Sequence, residues 1–267
     1  MGASALLPVC LHDKSEIESL LRDDDIWLHL YELGDLEEPF WQYTTWYSLP
    51  QTGPKPVLLL YSGLSRPALL GLTKRHPDLL KDLLRATQDL LPPKCHAHLS
   101  PGQSSVLEEL YDLEPKGDFF RMSLQDPARL KVVDTGVVVP LGPEQAAELR
   151  HLYEISYPGH WFEPHMLETG LYRGIRRNEE LVCAAGVHVH SPKQRVAAVG
   201  NVATHPDHRN RGLARAACTK LCQDLLDTVD HIGLNVNKDS AAAMACYQRL
   251  GFEPADSYEE YLIQRRR

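Results

Sequence analysis

Thr204-His205-Pro206-Asp207-His208-Arg209-Asn210-Arg211-Gly212-Leu213-Ala214-Arg215 joins a strand-like segment, 195–204, to a helix-like one, 212–229. The helix pattern places Ala214, Ala217, Cys218, Leu221 and Leu225 on one stripe and charged residues on the rest. A strand that turns into a helix through arginines and a glycine is a way to build an anion site. The free amides of the first helical turn point outward, the helix dipole favours negative charge there, and Gly212 and Ala214 let a diphosphate approach the backbone. Arg209, Arg211 and Arg215 supply counter-charge.

Upstream, strands are expected at 171–176, 181–190 and 195–204, joined by hairpin-length loops. A strand at 131–140, a helix at 143–156 with Pro at its first position, and a second helix near 162–168 precede them. Downstream come a strand at 231–237, a helix at 240–250 closed by Gly251, and a strand at 258–263. The order is βααβββαβαβ.

Arg209-x-x-Gly212-x-Ala214 resembles the coenzyme A pyrophosphate loop of the GNAT superfamily of acyl-CoA N-acyltransferases. The stretch from Leu234 to Phe252, with Tyr247 and Leu250-Gly251-Phe252, resembles that family's fifth strand and following helix. The resemblance covers residues 130–267 in matching order. It implies an α/β (α+β) fold, a mixed, mostly antiparallel sheet flanked by helices. It implies acetyl-CoA or a short acyl-CoA as co-substrate, no metal, and N-acetyl transfer to a primary amine by direct attack in a ternary complex. Carried over by position, the backbone of Val202, Ala203 and Thr204 would pair with the pantetheine arm where the fourth and fifth strands splay. Arg209, Asn210, Arg211, Gly212, Leu213, Ala214 and Arg215 would hold the pyrophosphate, with Asn237 and Ser240 also on the coenzyme side. Tyr247 would protonate the leaving thiolate. Its other role is that of a buried aromatic with a hydrogen-bonded tip.

Two departures stand out. Ser240 occupies a position where the family often has Asn, and the fourth strand, Ala197-Ala198-Val199-Gly200-Asn201, lacks the carboxylate that often serves as base. His188 and His190, on one face by the period-two rule, are the candidate replacements, His188 foremost, since an imidazole titrates near ~6.5. Packing histidines and a water relay remain alternatives. These two, or His96 and His98, do not stand in a metal-ligand spacing with further ligand-type side chains, so no metal is expected. Tyr157, His160, Trp161, Phe162 and His165 either shape an acceptor pocket or pack two helices. A non-catalytic acyl-CoA sensor or partner-binding protein is the alternative function.

The 267 residues allow one large or two modest domains at roughly 150 residues each. A net charge of −8 argues against a protein that coats nucleic acid. Residues 1–128 hold 11 basic against 19 acidic side chains and residues 129–267 hold 17 against 17, so the deficit lies in the first half. That half reads as a capping box at Ser15 with a helix to about 25, strands at 26–31, 43–48, 56–61 and 68–72, and a helix at 76–91. A strand at 96–100, a helix at 104–113 and a strand at 119–124 follow. The order repeats that of the second half, Ser104 and Tyr111 are spaced like Ser240 and Tyr247, and His76-Pro77-Asp78 echoes His205-Pro206-Asp207. A degenerate second GNAT-like domain at 1–128, ahead of the acetyltransferase domain at 129–267, is therefore expected. Leu79 and Leu80 replace the basic glycine loop, so this copy should not bind the coenzyme in the same way. Its acidic surface is a solvated face or an attraction for a cationic acceptor.

The start, Met1 to Leu7, lacks a signal-peptide pattern, no apolar run reaches ~18 residues, and the six cysteines show no Cys-x-x-Cys spacing. A cytoplasmic protein with reduced thiols is expected, without nucleic-acid or membrane partners. A small amine or amino acid is favoured over a protein as acceptor; the oligomeric state is not legible.

Overall fold

The computed structural model describes residues 7–266, so the reading of Met1 to Leu6 lies outside the described residues. The chain forms two compact units: Met1–Arg121 with Asn237–Asp239 and Ala255–Arg267, and Met122–Val236 with Ser240–Pro254. The sequence reading places the division at 128/129. The units part after Arg121 instead, and the last strand returns to the first unit.

In the first unit β1 (Val9–Leu11) and α1 (Lys14–Asp25) lead through α2 (Leu30–Gly34) to β2 (Thr44–Ser48), β3 (Leu58–Tyr61) and β4 (Ala68–Gly71). Then come α3 (Pro77–Thr87), β5 (Lys94–Leu99) and β6 (Tyr111–Leu124), the last crossing into the second unit after Arg121. Strands β1 to β4 pair antiparallel in succession, and β5 lies parallel to β4 after the α3 crossover. Residues 259–264 pair antiparallel with β5, Tyr261 opposite Ala97. Helix α3 buries Leu80, Leu83, Leu84 and Thr87, a 3–4 spacing, against Leu58, Leu69 and Ala97.

Local chemistry overrides the sequence reading in two places. Residues 26–31 are no strand: the Asp25 carboxylate accepts the amides of Trp27 and Leu28, and this turn feeds α2. Residues 104–113 are no α-helix: Ser104–Val106 is a single 3-10 turn, and β6 already begins at Tyr111. Similarly, α1 is capped by Asp13, which accepts the amides of Ser15 and Glu16, and not by Ser15.

A charged centre lies inside this unit. His29, 3% exposed, reaches Asp24 at 2.9 Å and Glu32 at 3.2 Å, and Glu32 lies 3.7 Å from the buried Arg121. Burial works against a charged His29, but the hydrogen bonds and charges of Asp24 and Glu32 outweigh it and raise its pKa from 6.5 to about 9. A group raised on folding stabilises fully below its unfolded pKa, and that contribution fades as pH rises through the folded one. The window here is pH 6.5 to 9, and a shift of this size corresponds to about 3 kcal/mol. His29→Gln keeps the hydrogen-bonding reach without the charge. The stability gap between wild type and this variant, from urea unfolding, should shrink steadily between pH 6.5 and 9; a constant gap would mean an uncharged His29.

The second unit holds β7 (Val138–Leu141), α4 (Ala146–Ser156), β8 (Tyr172–Arg177), β9 (Glu180–Ser191), β10 (Val196–Thr204), α5 (Leu213–Leu226), β11 (His231–Asn237) and α6 (Ala241–Arg249). Strand β12 (Phe252–Arg265) starts in this unit and passes into the first at Ala255. Strands β7 to β10 pair antiparallel and β11 lies parallel to β10 after the α5 crossover. This is the topology of β1–β2–β3–β4–α3–β5, so the expected second copy is present as a fold. The expected strand at 131–140 is shorter, because Pro127–Val132 forms 3-10 turns and β7 starts at Val138. The expected helix near 162–168 is a 3-10 segment, Pro164–Thr169, ended by Gly170. Leu149, Leu152 and Tyr153 of α4 pack on Tyr172, Ala184 and Ala203 of the sheet. Among the described residues no helix is long and apolar enough to cross a membrane.

Candidate functional site

Strands β10 and β11 pair from Val196–His231 to Val199–Leu234, and the pairing stops there although both strands continue. On its other side β10 stays with β9, but the four residues of β10 from Gly200 to Ala203 stand opposite three of β9, Ala184 to Gly186. The surplus is a bulge in which Asn201 takes a left-handed φ of 51°. Tyr153 of α4 donates its hydroxyl to the Asn201 carbonyl at 2.8 Å, and the Asn201 amide donates to the Tyr172 hydroxyl at 2.9 Å. This buried polar set fixes the bulge. It leaves residues 202–204 as a strand segment past the last β11 pair, the arrangement in which an extended ligand adds main-chain hydrogen bonds.

After Thr204 the chain makes a 3-10 turn at Pro206–His208, then Asn210 and Gly212 adopt φ of 60° and 75°. Gly212 is the N-cap of α5, so no side chain caps the first-turn amides, and the first helical bond is Ala216 N–H to the Gly212 carbonyl at 3.0 Å. A Cβ at Gly212 would meet nothing within 4 Å. The backbone here is open to an incoming group. Arg209 donates to the carbonyls of Thr204 (3.3 Å) and Ser156 (3.1 Å), and Arg211 to that of Asp207 (3.0 Å). These two arginines brace the loop while their charge stays at its exposed surface. Arg215 Nε, His208 Nδ1, Ser156 Oγ and Asn235 Oδ1 are among the second unit's buried polar atoms that make no hydrogen bond among the described residues. Native proteins rarely leave such atoms without a partner, whether protein, water or a bound group.

Tyr247 lies on α6, 9% exposed, its ring 6.1 Å from that of Phe252. Its hydroxyl has no hydrogen-bond partner among the described residues. Burial first, then the nearby thiols Cys218 and Cys246, raise its pKa well above 10, so the phenol keeps its proton at any ordinary pH. Ser240 stands at the N-cap of α6 but makes no side-chain cap. The Asn237 side chain accepts the Asp239 amide at 2.8 Å, closing its own turn.

The two histidines of β9 do not share a face. Ala198 pairs Val189 while Val199 pairs Val187, so His188 is the extra residue of a second bulge. That slip cancels the period-two alternation between His188 and His190. His188 lies over Gly200, where a Cβ would meet its ring at 2.5 Å, and beside Trp161 at 5.2 Å between centroids. His190 bonds the Thr228 hydroxyl at 2.9 Å, beyond the end of α5. Burial lowers the pKa of both, and hydrogen bonding to Asn201 partly offsets this at His188. His188 is neutral at pH 7, with the capacity to take a proton.

Of the aromatic candidates, Phe162 is core, 5.2 Å from Tyr153 and 5.9 Å from Tyr172, whereas Trp161 and Tyr157 are 43% and 44% exposed. In the first unit His96 and His98 face a single carboxylate, Glu260, at 3.8 and 3.9 Å. Among the described residues no three ligand-type side chains gather as a metal site. Sequence reasoning missed Asn201, Tyr153, Tyr172 and Asn235. The first had a signal, since a Gly-Asn pair inside a strand pattern marks a bulge.

Residues 141–252 match the family described as Acetyltransferase (GNAT) family. A search of curated proteins finds no match. Among solved structures, a Drosophila protein aligns with TM-score 0.71 at 15% identity, covering 97% of this chain and 98% of its own. A GNAT-family protein of Novosphingobium aromaticivorans aligns at 0.60 and 18%, covering 92% and 99%. A tandem GNAT protein from the clavulanic acid biosynthesis pathway aligns at 0.58 and 16%, covering 97% and 98%. At these identities the structures speak for the fold of the whole chain, and the match at 141–252 speaks for the family. Residues 141–252 are thus similar to the GNAT family of acetyltransferases.

Proposed function

We propose that the second unit is an N-acetyltransferase that takes acetyl-CoA, or another short acyl-CoA, and passes the acyl group to a primary amine in a ternary complex. One observation carries this reading: a single unit combines the open stretch of β10, the glycine-capped arginine loop and a protonated Tyr247. Residues 202–204 suit a pantetheine arm, and the amides of Leu213, Ala214 and Arg215, with the charge of Arg209 and Arg211, suit a pyrophosphate. The unpartnered atoms of Arg215, His208, Ser156 and Asn235 fit a polar substrate of this kind.

The amine nitrogen attacks the thioester carbon, the C–S bond breaks, and the leaving sulfur takes the Tyr247 proton. The surplus proton on nitrogen passes to neutral His188 or to water. Holding both substrates in one cleft supplies much of the rate. Trp161 and Tyr157 give the acceptor side an aromatic character suited to a small amine or amino acid, and we place the enzyme in the cytoplasm. Thiol release from acetyl-CoA, followed across amines, amino acids and peptides, tests this. Release above the hydrolytic background is expected with at least one small amine; silence throughout, with coenzyme affinity retained, would replace catalysis by a sensor role.

A further inference from the structure

The loop between β4 and α3 of the first unit occupies the same place in the topology as the β10–α5 loop of the second. It is occupied by the chain itself. One carboxylate oxygen of Asp24 accepts the Arg75 amide (2.9 Å), the Lys74 amide (3.2 Å) and the Thr73 hydroxyl (3.1 Å). The other accepts the Lys74 amide (3.0 Å) and bonds His29 (2.9 Å). Two consecutive amides, a hydroxyl and a buried imidazole converging on one anion make the donor set a phosphate oxygen pair would use. Asp24 comes from the end of α1, so its position does not depend on this loop. A cavity of about 360 Å³, lined in part by Asp24, Thr73, Arg75, His76, Lys55 and Val57, borders the carboxylate and gives small solutes a way in.

We propose that Asp24 is a built-in substitute for a phosphate, which closes the first unit to coenzyme A and limits the chain to one coenzyme. The absence of a glycine-arginine loop removes the attraction, and Asp24 removes the vacancy. A second negative group cannot share donors already saturated by a carboxylate, because like charges at contact repel and no amide of Lys74 or Arg75 is left to stabilise them. The limit of one coenzyme rests on the reading of the second unit given above; the occupancy of the first does not.

The test uses the full chain with Asp24→Gly and Asp24→Asn. Removing the carboxylate should lower the thermal midpoint by about 5 °C or more, and formate or inorganic phosphate, at ionic strength matched with chloride, should restore part of the loss in Asp24→Gly. Wild type, carrying its own anion, sets the baseline for the general effect of each salt. Equal responses in wild type and variant would overturn the proposal. If Asp24→Gly does not fold, Asp24→Asn, which keeps the shape and one acceptor, should show a His29 pKa below the wild-type value by NMR; an unchanged value would likewise overturn it. Calorimetry of wild type with coenzyme A should give one site per chain. Two sites would overturn the proposal, whereas no site together with anion rescue would sink only the coenzyme reading of the second unit.

Discussion

Gly212→Glu is expected to abolish coenzyme binding, with at least about a 100-fold loss of affinity, or ~2.7 kcal/mol. Three effects act at one position. The new carboxylate lies at the positive end of α5, where the diphosphate would lie, so attraction becomes repulsion. Its side chain covers the first-turn amides that Gly212 leaves open. The left-handed φ of 75° costs a non-glycine residue roughly 1 kcal/mol, which loosens the N-terminus of the helix. A Cβ at this position meets nothing within 4 Å, so the start of the new side chain has no packing conflict. Isothermal titration with coenzyme A measures the effect, and an unchanged circular dichroism spectrum separates it from unfolding. Affinity equal to wild type would remove the pyrophosphate from this loop.

What the sequence carried depended on whether a signal was local. Strand β11 was readable to its ends because Ile232, Leu234 and Val236 alternate without interruption. The loop from Thr204 to Gly212 was readable because arginine, glycine and a helical stripe stand within a dozen residues. Side-chain direction on β9 was not, since the bulge at His188 depends on its pairing with β10, and no pattern within β9 reveals a partner's slip. Tyr111 shows the same limit. Its spacing from Ser104 matches that of Tyr247 from Ser240, yet its hydroxyl is tied to the carbonyls of Gln88 and Leu91 at the start of a strand. Equal spacing conceals one tyrosine locked to backbone and another with an unengaged hydroxyl. The return of residues 255–267 to the first unit was equally invisible, because a strand's period sets its faces but not its neighbour.

That contrast makes Tyr247→Phe the decisive substitution for catalysis. Phenylalanine keeps the ring against Phe252 and removes only the oxygen, which makes no hydrogen bond among the described residues, so little stability should be lost. A thiolate leaving without a proton donor should slow acyl transfer by about 100- to 1,000-fold, within the usual range for a general acid. Coenzyme affinity should stay within a few-fold of wild type, because strand, loop and helix are untouched. The fall therefore belongs to kcat, with KM for acetyl-CoA nearly constant. A phenol whose pKa is pushed upward by burial and by the Cys218 and Cys246 thiols does not itself limit activity at ordinary pH. The alkaline side of the wild-type profile should then show no loss near pH 10, while deprotonation of the amine, His188 or water sets the acid side. Steady-state thiol release by wild type and variant over pH 6 to 10 reads all of this at once. Turnover that survives the substitution would strip Tyr247 of its proton-donor role, and a wild type with no turnover but intact coenzyme affinity would leave a binding protein on a catalytic fold.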